Sequence, residues 1–95
     1  MSYEIRQGLE FSKWFEKVKD KSVKIKLLAR LARVENGNFG DHKNISQNLF
    51  ELRFNFGPGY RIYYTIQNDV VVLLLAGGDK SSQKKDIKKA LTLLR

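Results

Sequence analysis

The sequence contains no cysteine, a single proline and a single histidine, and its apolar residues form no long run. The absence of cysteine excludes a disulfide framework and a zinc–cysteine site, and it agrees with a reducing compartment. No apolar stretch approaches the roughly 18 residues expected of a transmembrane helix. The first ten residues, MSYEIRQGLE, lack the apolar segment of a signal peptide. We therefore expect a cytoplasmic protein with no membrane partner.

Acidic residues are also scarce. The chain has 10 Asp and Glu against 18 Lys and Arg, which gives a net charge of +8 and a pI of about 9.9. A surplus of this size in 95 residues indicates an acidic partner. Nucleic acid is the first candidate, and an acidic protein or membrane surface is the second. A generic basic surface is the plain alternative, because basicity alone carries no sequence readout.

The apolar spacing predicts one α+β domain over residues 1–95. The N-terminal strand and helix hairpin are expected to pack with a small antiparallel β-meander, followed by a C-terminal helix. Residues 39–48 are polar and are predicted to be a loop. The predicted strands are 3–7, 49–56, 60–67 and 70–77, and the predicted helices begin at Glu10, at Ser22 as N-cap, and at Ser82.

Strand alternation predicts where the charged side chains of the meander lie. Pairing Phe56 with Tyr60 across Gly57-Pro58-Gly59 sets Arg53 opposite Tyr63 and Asn55 opposite Arg61. Both arginines then emerge on the face away from the helix hairpin, because the other register would bury Arg53.

The following strand is predicted to bring a third cation to the arginines. A two-residue turn at Asn68-Asp69 pairs Gln67 with Val70, which sets Ala76 near Arg61 and carries Lys80 to the same corner. This register also predicts that Val72 and Leu74 lie on the arginine face under the last helix. The N-terminus of that helix would add a partial positive charge.

These residues suit the cleavage of RNA by attack of its own 2′-hydroxyl group. Arg53 and Arg61 would stabilise the doubly negative phosphorane, because guanidinium groups fork onto phosphate oxygens. Lys80 would act as base or acid, since neighbouring cations favour its neutral form. Tyr63 would stack on a base or share in proton transfer. The sequence offers no metal-ligand cluster and implies no cofactor, so the predicted chemistry is metal-independent.

Each of these assignments has a plainer alternative. Arg53 could simply pair with Glu51, Lys80 could be a solvated loop residue, and Asp79 is expected to be a helix cap rather than a base. Several other basic residues are either an ordinary surface or contacts to RNA phosphates. They are His42 and Lys43 in the polar loop, and Lys84, Lys85 and Lys88 on the last helix.

The blocks ELRFNFGPGYRIYYT (51–65) and LLLAGGDKSSQKKDI (73–87) resemble the RelE/HigB superfamily of toxin–antitoxin toxins. The similarity is to the phage-derived group of addiction-module killer proteins and covers essentially the whole chain. It implies a RelE-like fold and a ribosome-dependent endoribonuclease that cuts messenger RNA and inhibits translation. Arg53, Arg61 and Lys80 match the family's basic functional set, whereas His42 and Lys43 match its loop region loosely. The chain ends ALTLLR, without the C-terminal tyrosine or histidine that some relatives use.

The resemblance also implies partners and leaves two other functions open. The implied partners are the ribosome, messenger RNA and a helix-turn-helix antitoxin, with operator DNA bound only through the antitoxin. A DNA gyrase poison, as in the ParE branch, would keep the same fold without needing a phosphate-activating pocket. A non-catalytic RNA-binding module is the third possibility.

Overall fold

The chain folds into a five-stranded mixed sheet with helices on both faces. The computed structural model describes residues 2–94. The elements are β1 (Glu4–Gln7), α1 (Leu9–Lys17), α2 (Lys21–Glu35), β2 (His42–Ser46), β3 (Leu49–Arg53), β4 (Tyr60–Gln67), β5 (Val71–Asp79), a 3₁₀ turn (Lys80–Ser82) and α3 (Gln83–Leu93). The strand order is β1-β5-β4-β3-β2, with β1 parallel to β5 and all other neighbours antiparallel. The α+β class, the helix hairpin and the C-terminal helix predicted from sequence are confirmed.

The second helix begins earlier in the chain than its sequence suggests. The side chain of Asp20 accepts hydrogen bonds from the backbone N–H of Ser22 at 2.8 Å and of Val23 at 3.4 Å. Asp20 is therefore the N-cap, and the prediction of Ser22 was wrong. The helix ends as predicted, because Gly37 adopts a φ of 89° and its N–H donates to the carbonyl of Val34.

The two faces of the sheet carry separate apolar cores. The first lies under α1 and α2 and contains Phe11, Leu27, Leu52 and Tyr64. The second lies under α3 and contains Leu49, Tyr63, Leu75, Ala76 and Ala90. The helices thus cover both sides of the strands that carry the candidate residues.

Val72 and Leu74 lie in the first core, so their predicted position under α3 was wrong. The hairpin after β4 pairs Gln67 with Val71 instead of Val70. A shift of one residue moves every side chain of the strand to the opposite face. A bulge between Tyr63 and Tyr64 shifts the register again, so that Arg61 lies opposite Gly78 instead of Ala76.

The polar segment predicted to be a loop contains a strand. Residues His42–Ser46 pair antiparallel with β3 and form one edge of the sheet. Polar residues such as those of HKNIS are unusual in central strands but are common at sheet edges, where they discourage pairing with another chain. The backbone pairing with β3 therefore outweighed the low strand propensity of this sequence.

Within residues 2–94, none of the helices combines the length and the apolar character needed to cross a bilayer.

Candidate functional site

Arg53 and Arg61 lie directly opposite each other on β3 and β4. The predicted pairings of Arg53 with Tyr63 and of Asn55 with Arg61 were therefore wrong by two residues, although both arginines do share the face away from the hairpin. The ladder ends at Arg53, and residues 54–59 form a wider connection than the predicted three-residue turn. Gly57 and Gly59 have φ values of 57° and 78°, which only glycine adopts at little cost.

A buried carboxylate separates these two like charges. Glu51 Oε1 lies 3.9 Å from Arg53 Nε, and Glu51 Oε2 lies 3.9 Å from Arg61 Nε. The Glu51 side chain has no exposed surface, whereas the side chain of Arg53 is 41% exposed. The pairing of Arg53 with Glu51 that the sequence left open is thus present. It is shared with Arg61, and the distances exceed those of hydrogen bonds.

Further contacts fix the arginines to the ends of the strands. The Nη1 atom of Arg61 donates to the carbonyl oxygens of Gly59 at 3.1 Å and Tyr60 at 3.2 Å. Arg61 is consequently buried, with 6% of its surface exposed. The backbone N–H of Arg53 donates to the carbonyl of Asp41 at 2.9 Å. Arg53 therefore has a fixed backbone and a side chain that reaches solvent.

Lys80 stands at the same corner, as the first residue of the 3₁₀ turn after β5. An added methyl group on Gly59 would lie 3.4 Å from Lys80 Cβ and 3.5 Å from Arg61 Nη1, so the two cationic residues flank this glycine. Arg53, Arg61 and Lys80 line one open recess together with residues of the 54–59 connection. The convergence of these three cations matches the sequence-based expectation, whereas their role in catalysis remains a prediction.

The Asp79 side chain caps the turn that positions Lys80. It accepts hydrogen bonds from the Ser81 hydroxyl and from the Ser81 N–H at 2.8 Å. The Ser82 hydroxyl in turn accepts from the Asp79 N–H, which completes a capping box. The Ser81 hydroxyl contributes most to lowering the pKa of Asp79 below its ordinary value. Asp79 therefore has the cap role that the sequence analysis favoured.

Tyr63 is fully buried beneath α3, opposite Glu51 on the neighbouring strand. Its hydroxyl group has no hydrogen-bond partner within residues 2–94. Burial, reinforced by the Glu51 carboxylate, raises the pKa of this hydroxyl well above its ordinary value. The expectation that Tyr63 stacks on an RNA base is therefore wrong for this conformation, because no face of the ring is accessible. A part for its hydroxyl in proton transfer stays a prediction.

The structure separates His42 from Lys43. Cross-strand partners share a face, and His42 is paired with Leu52 of the hairpin-side core, whereas Lys43 is paired with Glu51. His42 therefore lies on the opposite face from the arginines, with Nδ1 2.8 Å from the carbonyl oxygen of Gly40. Lys43 is exposed on the arginine side of the sheet.

The predicted phosphate-contacting lysines of α3 are all exposed. Lys84 and Lys85 line a cavity together with Lys80, next to the arginine recess. Lys84, Lys85 and Lys88 thus extend the basic surface along α3.

Sequence reasoning missed the part played by Arg30. Its buried guanidinium group donates to three carbonyl oxygens, those of Phe39, Asp41 and Arg53, at 2.7–3.1 Å. These bonds join α2 to the segment before β2 and to the end of β3. The signal was available, since position 30 falls within the apolar stripe of Leu27, Leu31 and Val34. A charge in such a stripe requires internal partners.

Gln83 was also missed. This first residue of α3 donates from Nε2 to Glu51 Oε2 at 2.8 Å and so connects the helix to the arginine pair. No spacing rule relates positions 51 and 83, which meet only because α3 folds back over the sheet.

Within the described part of the chain, no group of three or more His, Cys, Asp or Glu residues is placed to hold a metal ion.

Comparisons with known proteins give a family and a fold. The family model "Phage derived protein Gp49-like (DUF891)" matches residues 13–95. An uncharacterized protein of Haemophilus influenzae (strain Rd) is 48% identical over 93 residues, which cover 98% of this chain and 94% of that protein. A mutant of the Escherichia coli toxin RelE, with two arginines replaced by alanine and in the free state, superposes with a TM-score of 0.71. That comparison covers 94% of this chain and 98% of RelE at 19% identity, and it confirms the predicted RelE-like fold.

Proposed function

The chain belongs to the Gp49-like family of phage-derived proteins, and on that premise we propose that it is the toxin of a toxin–antitoxin module. We further propose that it inhibits translation as a metal-independent endoribonuclease that cleaves messenger RNA on the ribosome. The structural likeness to RelE, which is itself a toxin, supports the first part. The single observation that carries the second is the recess shared by Arg53, Arg61 and Lys80.

The chemistry follows from the positions of these three cations around one recess. The terminal nitrogens of Arg53 donate no hydrogen bond within residues 2–94, so they can bind the scissile phosphate and its developing negative charge. Arg61 supplies a second fixed positive charge at the base of the recess. Lys80 is exposed at the rim, where its ammonium group can protonate the leaving 5′-oxygen, while the attacking 2′-hydroxyl releases its proton to water in the open recess.

Surrounding basic residues would hold the RNA on either side of the recess. Lys43 and the α3 residues Lys84, Lys85 and Lys88 lie on the same side of the sheet as the arginines, and each is exposed. Flexible lysines contact backbone phosphates without reading the base sequence. His42 projects to the other face and would contact a different segment of the ribosomal complex. The proposed protein partner is a helix-turn-helix antitoxin, through which the toxin would reach operator DNA.

Substitution of Arg53 tests this proposal with little risk to folding, because its side chain is half-exposed. We expect Arg53→Ala to lower the rate of messenger RNA cleavage by roughly 10²–10³-fold, the loss typical of removing one group that stabilises transition-state charge. The measurement is the mapping of transcript ends after induction, together with cleavage by purified protein on programmed ribosomes. Arg33→Ala is the matched control, since Arg33 is an exposed arginine on α2.

The alternatives give different results in the same experiment. New RNA ends that persist unchanged in Arg53→Ala would contradict the assignment of the recess. Loss of DNA supercoiling activity with intact transcripts would indicate a gyrase poison, and ribosome association without new ends would indicate a binding module. The proposed function predicts new ends with the wild type and with Arg33→Ala, and their loss with Arg53→Ala.

A further inference from the structure

Glu51 has an unusual position for a carboxylate that borders a proposed phosphate site. It has no exposed surface, yet its Oε1 atom has no hydrogen-bond partner within residues 2–94. The Nε atom of Arg61 and the hydroxyl of Tyr63, both close neighbours, share this condition. Buried polar atoms without partners are rare in folded proteins, so this cluster requires a physical explanation.

The geometry of the ion pairs gives one explanation. Both contacts of Glu51 run to the Nε side of a guanidinium group, at 3.9 Å in each case. A carboxylate on the Nε side orients the group and leaves the outer Nη fork directed away from it. Two cations that face each other across neighbouring strands would otherwise repel and turn apart.

Glu51 is itself held from the other side. Gln83 at the start of α3 donates to Oε2 at 2.8 Å, so the carboxylate cannot rotate without breaking this bond. The Gln83–Glu51 contact thereby connects α3, whose preceding turn carries Lys80, to both arginines. Glu51 thus contacts two of the three cations of the recess directly, and Gln83 connects it to the helix whose preceding turn carries the third.

We propose that Glu51 is a positioning residue that fixes the spacing and orientation of Arg53 and Arg61 before RNA binds. This inference rests on the proposed nuclease function. Glu51 does not touch the substrate, and it lowers the net charge of the recess by one. It therefore weakens attraction for RNA while it improves the alignment of the groups that act on the phosphate.

These two effects have opposite signs, which makes Glu51→Gln an informative variant. The amide keeps the shape of the side chain and removes the negative charge. We expect the variant to bind a ribosome–messenger RNA complex as tightly as the wild type or more tightly, while kcat falls roughly tenfold or more because the alignment is disturbed. A residue that mattered only for folding would lower the fraction of active protein without this split between kcat and KM.

A second readout is independent of cleavage. The Nε–H groups of arginines give separate ¹H–¹⁵N NMR signals, and we expect Glu51→Gln to move those of Arg53 and Arg61 toward the values of free arginine and to speed their exchange with water. Glu16→Gln is the control, because Glu16 is exposed on α1 and the substitution changes net charge by the same amount. It is expected to leave kcat and the arginine signals unchanged.

Gln83→Met supplies the test if Glu51→Gln does not fold. It removes the donor to Oε2 and keeps the carboxylate, so the same changes are expected at smaller size. The proposal would be overturned if the arginine signals stay unchanged in the folded variants. It would also be overturned if kcat stays unchanged or rises. A different result is possible if the wild type cleaves no RNA but Glu51→Gln still shifts the arginine signals. That result would support the positioning of the arginines by Glu51 and would refute only the nuclease function.

Discussion

Arg30 and Arg53 carry the same functional group in opposite surroundings. Arg30 is buried, and its nitrogens are occupied by carbonyl oxygens from the segment before β2 and from β3. Arg53 is half-exposed, and its Nε atom lies 3.9 Å from Glu51 Oε1. The first holds the backbone of the second through the bond from Arg30 Nη1 to the Arg53 carbonyl, at 2.9 Å. A structural and a candidate functional arginine are therefore directly joined.

A pH dependence is expected at the residue scale from the Asp79 cap. Because hydrogen bonds from Ser81 lower the pKa of Asp79 below its ordinary 3.8, the unfolded chain binds its proton more readily than the folded one. The stabilising contribution is therefore fully present above the unfolded value of 3.8 and is lost as pH falls through the lower folded value. NMR titration of the Asp79 carboxyl carbon measures the midpoint directly.

Ser81→Ala is the matched variant for that titration. It removes the hydroxyl donor that contributes most to the shift and keeps the backbone donor. The midpoint of Asp79 should move upward toward the ordinary value, and the acid sensitivity of the unfolding temperature should decrease. An unchanged midpoint in Ser81→Ala would contradict the cap as the cause.

At the scale of elements, the end of β5 lies between closely packed helices on both faces of the sheet. A methyl group on Gly77 would lie 2.2 Å from the Trp14 ring of α1, and one on Gly78 would lie 1.9 Å from Asp86 Oδ2 of α3. Both distances are too short for non-bonded atoms, so Trp14 or Asp86 would have to move to accommodate the added group. The double glycine therefore lets α1 and α3 approach β5 where Gly78 pairs with Arg61.

Gly78→Ala is expected to destabilise the fold by about 1–3 kcal/mol, the usual cost of an overpacked site. Urea denaturation followed by circular dichroism measures this cost. In the double variant Gly78→Ala/Asp86→Ala the clashing carboxylate is absent, so the destabilisation should be smaller than the sum of the two single effects. Additive effects would show that the Asp86 contact is not the origin of the cost.

At the scale of the whole molecule, the two faces of the sheet carry different basic surfaces. The α3 side holds the arginine recess and the exposed lysines of that helix, whereas the hairpin side holds the exposed lysines around the start of α2. The net charge of +8 is therefore not concentrated in one place. The first surface adjoins the proposed RNA site, because Lys80 lines both the arginine recess and the cavity that contains Lys84 and Lys85.

Salt dependence distinguishes the two surfaces. We expect Lys84→Ala/Lys88→Ala to weaken binding of a single-stranded RNA and to reduce the slope of log K against log[salt] by roughly 0.7 for each phosphate that the variant no longer binds. The hairpin-side control Lys19→Ala/Lys21→Ala removes the same charge and should leave the slope nearly unchanged. Equal reductions in both variants would mean that attraction depends on net charge alone. Fluorescence anisotropy over a range of salt concentrations gives the slopes.

The sequence by itself determined the class of fold, the packing of the helix hairpin on the sheet and the side of the sheet on which the arginines lie. These features follow from apolar periodicity and from strand alternation, which are local properties of the chain. The basic recess was also predictable, because a glycine-rich turn and a hairpin of β4 with β5 bring its parts together. Burial of Val72 and Leu74 against the hairpin was not predictable, since a turn longer by one residue inverts the face.

Only the tertiary structure decided what each group in the recess can do. It buried Tyr63 beneath α3, set Glu51 between the arginines and brought Gln83 to the carboxylate from 32 positions further along the chain. It also placed β2 beside β3, which turned His42 away from Lys43. The physical reason is that exposure and charge pairing depend on contacts between distant segments, which periodicity along one segment does not specify.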